Sequence, residues 1–434
     1  MTLRAPSFLR IVGVAGVLAI VAGPESSMAQ VGTTTDKGAP VDRALVDSGI
    51  KLTANDAAPY DGFGAAVAIS GDTVVVGAPS DDDAGTASGS AYVFVRSGGT
   101  WREQQKLTAS DANARDVFGG AVAINGDAIV VGACHSVYPF FSSGAAYVFV
   151  RSGGVWSQQQ KLTAGDAAPY DAFGCSVAVS GNTVVVGAPA FNMSAPRYPP
   201  GSAYVFDRIG SLWIQEAKLN ASDAVNGDFF GFSVAISGNT VVVGAPFGDS
   251  AAAANSGSAY VFEPAGSLWI QKAKLTPNDA AFFDLFGDSV AISGGAIVVG
   301  APWDDDAGNA SGSAYTFLRS GVVWNQDQKL TANDANVLDQ FGTSVAISGN
   351  TVVVGAPFGD SAAASDSGSV YVFKPVRSPS IQESKLTAND AAFLDRFGAS
   401  VAISGDLVAA GAPGADTPNA SHAGGVYLAS FGEH

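Results

Sequence analysis

The sequence predicts an all-β fold that is made of seven copies of one short unit. A Lys-Leu pair recurs at intervals of 55 to 57 residues along the 434-residue chain, and such a period indicates a repeat architecture. The composition agrees, because Gly is abundant, charged residues make up only 14% of the chain and Asp greatly outnumbers Glu. Asp and Gly favour tight turns, whereas Glu favours helices.

The first full copy, Lys51–Trp101, defines the unit. A Phe-Gly pair lies 12 residues after each Lys, and a Gly-Ala-Pro motif begins 14 residues after each Phe, except that the second copy has Cys134 in place of the Pro. The lysines are Lys51, Lys106, Lys161, Lys218, Lys274, Lys329 and Lys385. The Phe residues are Phe63, Phe118, Phe173, Phe230, Phe286, Phe341 and Phe397. The length varies only between the Gly-Ala-Pro motif and a recurring Tyr, so one loop in each copy is free to change.

Each copy contains four strand signals. In the first copy we expect strands at Phe63–Ile69, Thr73–Val76, Ala91–Arg96 and Trp101–Leu107. Tight turns that contain Gly, Asn or Asp separate the first from the second and the third from the fourth, which is typical of hairpins. The fourth strand is polar and suits an exposed outer edge.

These motifs resemble the FG-GAP repeats that build the seven-bladed β-propeller of integrin alpha subunits, in the compact form of many bacterial secreted proteins. The resemblance covers about residues 45–431. It implies seven blades, each a four-stranded antiparallel sheet.

The two ends of the repeat region predict a closed ring. The last copy ends at Phe431–His434, just after its third strand, and has no fourth strand of its own. Ala44–Leu52 stands in the fourth-strand position just before the first Phe-Gly pair. We therefore expect this N-terminal strand to complete the last blade, because an open stack would need polar caps at both ends. The propeller would then occupy residues 44–434.

The N-terminal region has the features of a secretory signal peptide at residues 1–29. Arg4 and Arg10 give a positive start, Ile11–Gly23 is an apolar run, and Ser27-Met28-Ala29 is a small-x-small cleavage site. Residues 30–43 are expected to form a flexible leader. The apolar run is too short for a confident membrane span, so we expect a soluble exported protein that is secreted, periplasmic or associated with the cell surface.

The formal net charge of −17 argues against nucleic acid as a partner, since nucleic-acid binding needs a basic face. We expect a monomer with a protein or carbohydrate ligand. In a four-stranded meander the long connections share one face, and binding residues concentrate on loops that a rigid scaffold holds. The functional residues are therefore expected among the variable loops of that face.

Two of the variable loops depart most from the common pattern. The loop of the second copy carries His135, Tyr138, Phe140 and Phe141, and the loop of the third carries Phe191, Met193, Arg197 and Tyr198. Aromatic side chains with an Arg are enriched at binding hot spots. The same residues would equally suit a plug that packs in the mouth of the axial channel. Trp303 in the fifth copy is a weaker candidate of the same kind.

Calcium needs a separate argument, because the resemblance implies it. Calcium-binding integrin blades carry an Asp-rich loop between their first two strands, and here that connection has shrunk to a Ser-Gly-Asp/Asn turn. The family's site is therefore not expected. The remaining metal candidates are the two acidic runs Asp81-Asp82-Asp83 and Asp304-Asp305-Asp306, where solvated charge is the alternative.

The two cysteines, Cys134 and Cys175, fall on the same face of adjacent blades, and an exported chain meets oxidising conditions. We predict a disulfide between them. Two further Asp positions recur in every copy, five residues after the Lys and two residues before the Phe. Sevenfold repetition favours a role in turns and caps over a metal ring.

No cofactor and no catalytic constellation is expected. The three histidines have neither a matching nucleophile nor the spacing of metal ligands. The first hypothesis is a secreted, non-enzymatic binding or adhesion module. The alternatives are an exported polysaccharide-active enzyme that uses face carboxylates as acid and base, and a structural surface protein without a specific ligand.

Overall fold

The computed structural model describes residues 49–134, 142–191, 199–374 and 381–430, with the backbone alone for Ile381 and Glu383. The described chain forms seven four-stranded antiparallel sheets, each with its strands in simple sequential order except the one that joins the two ends. The β-branched runs form strands, and four-residue segments that contain Gly form the tight turns of the hairpins, as expected from local propensity. The prediction of an all-β propeller with seven blades is confirmed.

The strands are numbered in chain order. The innermost strands of the blades are β2 (Ala66–Ser70), β6 (Phe118–Asn125), β10 (Ser176–Ser180), β14 (Ser233–Ser237), β18 (Ser289–Ser293), β22 (Ser344–Ser348) and β26 (Ser400–Ser404). The second strands are β3 (Thr73–Ala78), β7 (Ala128–Ala133), β11 (Thr183–Ala188), β15 (Thr240–Ala245), β19 (Ala296–Ala301), β23 (Thr351–Ala356) and β27 (Leu407–Ala412).

The outer half of each blade is a longer hairpin. The third strands are β4 (Ser90–Ser97), β8 (Ala145–Ser152), β12 (Ser202–Ile209), β16 (Ser258–Ala265), β20 (Ser313–Ser320), β24 (Ser369–Lys374) and β28 (Gly425–Ser430). The fourth strands are β5 (Thr100–Leu107), β9 (Val155–Leu162), β13 (Leu212–Leu219), β17 (Leu268–Leu275), β21 (Val323–Leu330), β25 (Ile381–Leu386) and, for the last blade, β1 (Ile50–Leu52).

The first strand of blade 1 begins at Ala66 rather than at Phe63, where the sequence placed it. Gly64 has a φ of +94°, which turns the backbone out of the extended region before the strand starts. Phe63 instead makes an isolated parallel bridge to Gly424 of the preceding blade. The Phe-Gly pair is therefore a connector between blades, and the other strand boundaries agree with the expectation within a few residues.

The ring closes through the N-terminal strand, as predicted. β1 pairs antiparallel with β28, with Lys51 opposite Tyr427, and so supplies the fourth strand of blade 7. The innermost strands contact one another in an unbroken circle that includes β26 against β2. Of the predicted strand Ala44–Leu52, residues 44–48 lie outside the described residues, as do the predicted signal peptide and leader.

The recurrence of Phe-Gly and Gly-Ala-Pro has a steric origin. A Cβ atom on Gly77 would lie 1.9 Å from the carbonyl oxygen of Gly119, which is the glycine of the Phe-Gly pair in the next blade. Gly119 itself has a φ of +91° and packs against the backbone of Ser90. Neighbouring blades thus meet backbone to backbone at these two glycines, and any side chain would force the blades apart.

The apolar core lies between blades rather than within one blade. Phe63 packs edge-to-face on Tyr92 and Phe94 of its own blade at ring-centroid distances of 5.5 and 5.9 Å, and the same group of three rings recurs in blades 2 to 6. Around these rings, Val74 and Val76 of blade 1 share a cluster with Val426 and Leu428 of blade 7. Each blade therefore buries its apolar surface only when its neighbours are present. Within the described ranges, no helix is long and apolar enough to cross a bilayer.

Candidate functional site

The long connections converge on one face of the ring, which we call the long-loop face. Each blade contributes two segments to it. The entry segment runs from the fourth strand of the preceding blade to the Phe-Gly pair, and the variable loop runs from the Gly-Ala-Pro motif to the third-strand Tyr. The two kinds of segment touch across blades, as where Tyr60 N–H donates to the carbonyl of His422 at 3.1 Å and the two rings stack.

A lysine, an aspartate and a tyrosine form one polar cluster in every blade, which we call the lysine cluster. The lysine at the end of the fourth strand places its ammonium nitrogen 2.6 to 2.8 Å from a carboxylate on the entry segment. The pairs are Lys51–Asp390, Lys106–Asp56, Lys161–Asp111, Lys218–Asp166, Lys274–Asp223, Lys329–Asp279 and Lys385–Asp334.

The third-strand tyrosine completes the cluster. Tyr92 O–H, for example, donates to Asp56 at 2.9 Å, and the Lys106 ammonium lies 5.2 Å from the centre of the Tyr92 ring. Although burial opposes ionisation of Asp56, hydrogen bonds from Lys106 and Tyr92 outweigh it and lower the pKa of this carboxyl. The cluster therefore fastens the entry segment to the outer hairpin of its blade.

In blades 1 and 5 the acidic runs of the variable loops join this cluster. Asp81 and Asp83 lie 2.8 and 2.5 Å from the Lys106 ammonium, and together with Asp56 they bring carboxylate oxygens within 4.8 Å of one another. In blade 5, Asp304 and Asp306 contact Lys329 in the same way beside Asp279.

Two of the six predicted metal candidates, Asp82 and Asp305, are not members of these groups. A calcium ion at either place would have to compete with an ammonium that already contacts all three carboxylates. The calcium site stays a prediction, and melting with and without a chelator tests it.

In the other blades the variable loop supplies fewer hydrogen-bond acceptors to the lysine. In blades 4, 6 and 7 the second acceptor is a backbone carbonyl of the variable loop, at Asp249, Asp360 and Asp416. In blades 2 and 3 the described residues supply no variable-loop acceptor to Lys161 or Lys218. Their side chains are 41% and 38% exposed, against 19 to 27% for the other five lysines.

The second recurring aspartate folds the entry segment on itself. The Oδ2 atom of Asp61 accepts the N–H of Ala58 at 2.7 Å, and the equivalent bond occurs in every blade. Burial raises the pKa of Asp228, Asp284 and Asp339 to about 6. These carboxyls have the pKa of a general acid, yet they are buried and already hold the backbone.

Aromatic rings form a continuous band across blades 3 to 5 of this face. The band alternates between variable loops and entry segments, and its members are Phe191, Phe229, Phe247, Phe283 and Trp303. Successive ring centroids are 5.2 to 5.8 Å apart. Phe282 packs on Phe283 at 5.7 Å and is itself 69% exposed. The aromatic band thus combines mutual packing with an exposed edge.

The predicted disulfide between Cys134 and Cys175 is present, and their Cα atoms are 4.7 Å apart. It joins the end of β7 in blade 2 to the segment just before β10 in blade 3. The two blades whose lysines are most exposed are therefore the two that a covalent bond holds together.

The model of the FG-GAP repeat matches the chain seven times, at residues 48–94, 101–149, 156–206, 213–262, 269–317, 324–373 and 381–429. The chain belongs to the FG-GAP repeat family. Each match ends within the third strand of one blade, so the seven matches correspond to the seven blades of the structure. No curated protein matches this FG-GAP chain.

Of the loop residues that the sequence suggested as ligand-binding in this FG-GAP propeller, the described structure contains Phe191 and Trp303. Both lie in the aromatic band, with ring centroids 5.4 Å from Phe229 and 5.8 Å from Phe283, respectively. The remaining candidates lie outside the described residues, and they are His135, Tyr138, Phe140, Phe141, Met193, Arg197 and Tyr198. They remain predictions.

Sequence reasoning missed two features of this face. It noted the recurring Lys, Asp and Tyr separately and did not combine them into one cluster, although their fixed spacing was visible. It also missed most of the aromatic band. Phe229 stands immediately before a recurring Phe and Phe283 immediately before a recurring Asp, and these non-recurring positions were not compared between copies. An alignment of the seven copies shows that aromatic residues collect in the fourth and fifth.

Proposed function

We propose that this protein is an exported, non-enzymatic binding module that holds a protein or glycan ligand on its long-loop face. The observation that carries the proposal is the aromatic band with its exposed edge at Phe282. An exposed aromatic surface on a rigid scaffold is typical of interaction sites. On the opposite face, the connections among the described residues are short hairpin turns.

The family supports a binding or structural role in general terms, since FG-GAP propellers are typically modules of that kind. The disulfide and the repeats are consistent with an extracellular location. We include in the proposal that the protein is secreted, that it mediates adhesion and that it is a monomer.

The enzyme alternative would use the face carboxylates as acid and base. Asp228, Asp284 and Asp339 have a suitable pKa of about 6, but each is at most 6% exposed and accepts a backbone N–H. A catalytic acid must reach the substrate. The geometry therefore supports a scaffolding role for these three residues better than a catalytic one.

The test is a binding panel of immobilised glycans and matrix proteins, with hydrolysis of the glycans followed in parallel. Phe282→Ser should weaken binding at least about tenfold, because an exposed aromatic anchor at an interface contributes more than about 1.4 kcal/mol. Leu268→Ser is the matched control, since Leu268 is 67% exposed but begins β17, next to a hairpin turn of the opposite face.

Equal losses in both variants would show that the long-loop face is not the binding surface. Turnover of a glycan would replace the proposal with the enzyme alternative. A wild-type protein that binds nothing on the panel would favour a purely structural role.

A further inference from the structure

Blade 3 differs from the other blades at its lysine cluster. A cavity of about 200 Å³ opens there on the long-loop face, and Lys218, Tyr204, Asp171 and Asn220 contribute to its lining. In blades 1 and 5 the corresponding place is filled by carboxylates of the variable loop, which bind the equivalent lysines. In these two blades, therefore, carboxylates of the variable loop accept hydrogen bonds from the lysine in addition to the carboxylate of the entry segment.

The sequence explains why blade 3 lacks that carboxylate. Its variable loop, residues 190–203, contains neither Asp nor Glu, and the same is true of blade 2, whereas each of the other five loops contains at least one Asp. Phe191 stands where blade 1 has Asp81. The Lys218 ammonium can donate three hydrogen bonds, and its described partners are Asp166 at 2.6 Å and the hydroxyl of Tyr204.

A second feature sets blade 3 apart. The residue two positions after the recurring lysine is Thr in six copies and Asn220 in this one. The Asn220 side-chain amide donates to Ser202 Oγ at 2.8 Å and to the Gly201 carbonyl at 3.2 Å. Asn220 thus fixes the end of the variable loop that forms one wall of the cavity, and it acts as a positioning residue.

We propose that the blade 3 cavity binds a carboxylate of the ligand, at Lys218, and that this carboxylate belongs to a uronic-acid unit of a glycan. The inference rests on the proposed use of the long-loop face and names the class of ligand. The cavity is below the 300 to 1,000 Å³ of pockets for drug-sized ligands, so it suits a single sugar unit. Phe191, which starts the aromatic band, lies beside the cavity residue Ala190 and offers a ring for the apolar face of a neighbouring sugar.

The negative net charge of the chain supports selective binding of an acidic ligand near Lys218. The chain carries a formal net charge of −17, so an acidic ligand is repelled from most of its surface. Lys161 and Lys218 are the two cluster lysines with the most exposed side chains, and they lie on the two blades that the disulfide joins. An anionic glycan would therefore be directed to this part of the face.

The test is calorimetric titration of the full exported chain with a uronate oligosaccharide, with its carboxyl-reduced neutral counterpart, and with a Glu-rich peptide. The wild type should bind the uronate and should not bind the reduced form. Lys218→Met should lower the affinity for the uronate at least tenfold and abolish the preference over the reduced form, because a hydrogen bond to a charged group contributes at least the roughly 1.4 kcal/mol of a tenfold change. Asn220→Thr should lower the affinity several-fold and keep that preference, because Lys218 remains.

Lys274→Met is the matched control, because Lys274 makes the same pair with Asp223 but already has the Asp249 carbonyl as a second acceptor. It should change the affinity less than twofold, and melting curves should show all variants folded. If Lys218→Met fails to fold, the affinity of Asn220→Thr for the uronate decides the test.

Equal binding of the uronate and its reduced form, or of wild type and Lys218→Met, would overturn the carboxylate site. Binding of the peptide without the uronate would overturn the glycan assignment. If Phe282→Ser weakens the binding of a panel ligand while Lys218→Met has no effect, the proposed function stands and this inference fails.

Discussion

The contact between glycines of adjacent blades predicts a large effect of a single methyl group. In Gly244→Ala the new Cβ would lie 2.0 Å from the Gly287 carbonyl oxygen and 2.2 Å from Ser233 Oγ. Contacts under 3.0 Å essentially never occur at Cβ atoms, so blades 4 and 5 would have to separate by about 1 Å. That movement also strains the hydrogen bond from Ser233 Oγ to the Gly287 carbonyl, which is 2.8 Å long.

The magnitude follows from two costs. Overpacking a rigid interface costs about 1–3 kcal/mol, and a lost hydrogen bond costs about 0.5–1.5 kcal/mol. We therefore expect Gly244→Ala to destabilise the fold by about 3 kcal/mol. Gly238→Ala is the control, because Gly238 has a φ of +56° in a turn and a Cβ there meets nothing within 4 Å. Its cost is the left-handed backbone alone, about 1–2 kcal/mol.

The assay is urea unfolding followed by tryptophan fluorescence and circular dichroism. Midpoints are compared rather than extrapolated free energies, because a ring of seven blades need not unfold in two states. Gly244→Ala should have the lower midpoint. A midpoint equal to or above that of Gly238→Ala would refute the steric account of the Gly-Ala-Pro motif.

Three further predictions concern stability. Replacing Cys134 and Cys175 together with Ser should lower the free energy of unfolding by about 2–4 kcal/mol, because the bond closes a loop of 41 residues. A urea midpoint equal to that of the oxidised wild type would contradict this, and the reduced wild type is the control that should match the variant. Lys106→Met should cost about 3–5 kcal/mol, since it leaves the buried Asp81 carboxylate without a counter-charge. Lys161→Met should cost about 1 kcal/mol or less, because its partner Asp111 is 48% exposed, and equal melting temperatures of the two variants would contradict the comparison. Asp228, Asp284 and Asp339 have folded pKa values of about 6, above the ordinary 3.8, so they bind more protons folded than unfolded and stability should fall as pH rises from about 4 to about 6. The cluster aspartates such as Asp111, whose pKa the Lys161 hydrogen bond lowers, act oppositely and lose their contribution as pH falls below 3.8. Melting temperature should therefore peak near pH 4, and changing Asp228, Asp284 and Asp339 to Asn should make the decline above it smaller. A melting temperature that rises from pH 4 to pH 6 would contradict the assignment.

The pattern of one copy was enough to predict the course of the chain through a blade. Thr73–Ala78 is a β-branched run that ends in a Gly-Ala-Pro motif, and the turn at Ser70–Thr73 follows from its Gly and Asp. Both signals act over a few residues, and seven repetitions remove the ambiguity of any single copy. The closure by β1 was also predictable, because the strand absent from one end of the repeats is present at the other.

The candidate site was less predictable. The sequence singled out Asp81-Asp82-Asp83 as a unit, but the structure separates Asp82 from the group and adds Asp56 from a different segment. The geometry at the strand ends and the folding of the loop decide which carboxylates reach the lysine. Neither can be deduced from the fact that the three Asp residues are neighbours in the sequence. The cavity of blade 3 depends likewise on Asn220 and Lys218 meeting a loop that starts more than 25 residues earlier.

The sequence by itself determined the number of blades, the strand order, the closure and the pairing of the cysteines, because turn chemistry and repeat phase are local or periodic properties. Only the tertiary structure decided which recurring residues meet. Lys106 and Asp56 are 50 residues apart in the chain, and Gly77 touches Gly119 of the next blade. The first contact forms when the entry segment folds onto its own blade, and the second forms when neighbouring blades pack. The lysine clusters, the aromatic band and the blade 3 cavity therefore become visible only in the folded ring.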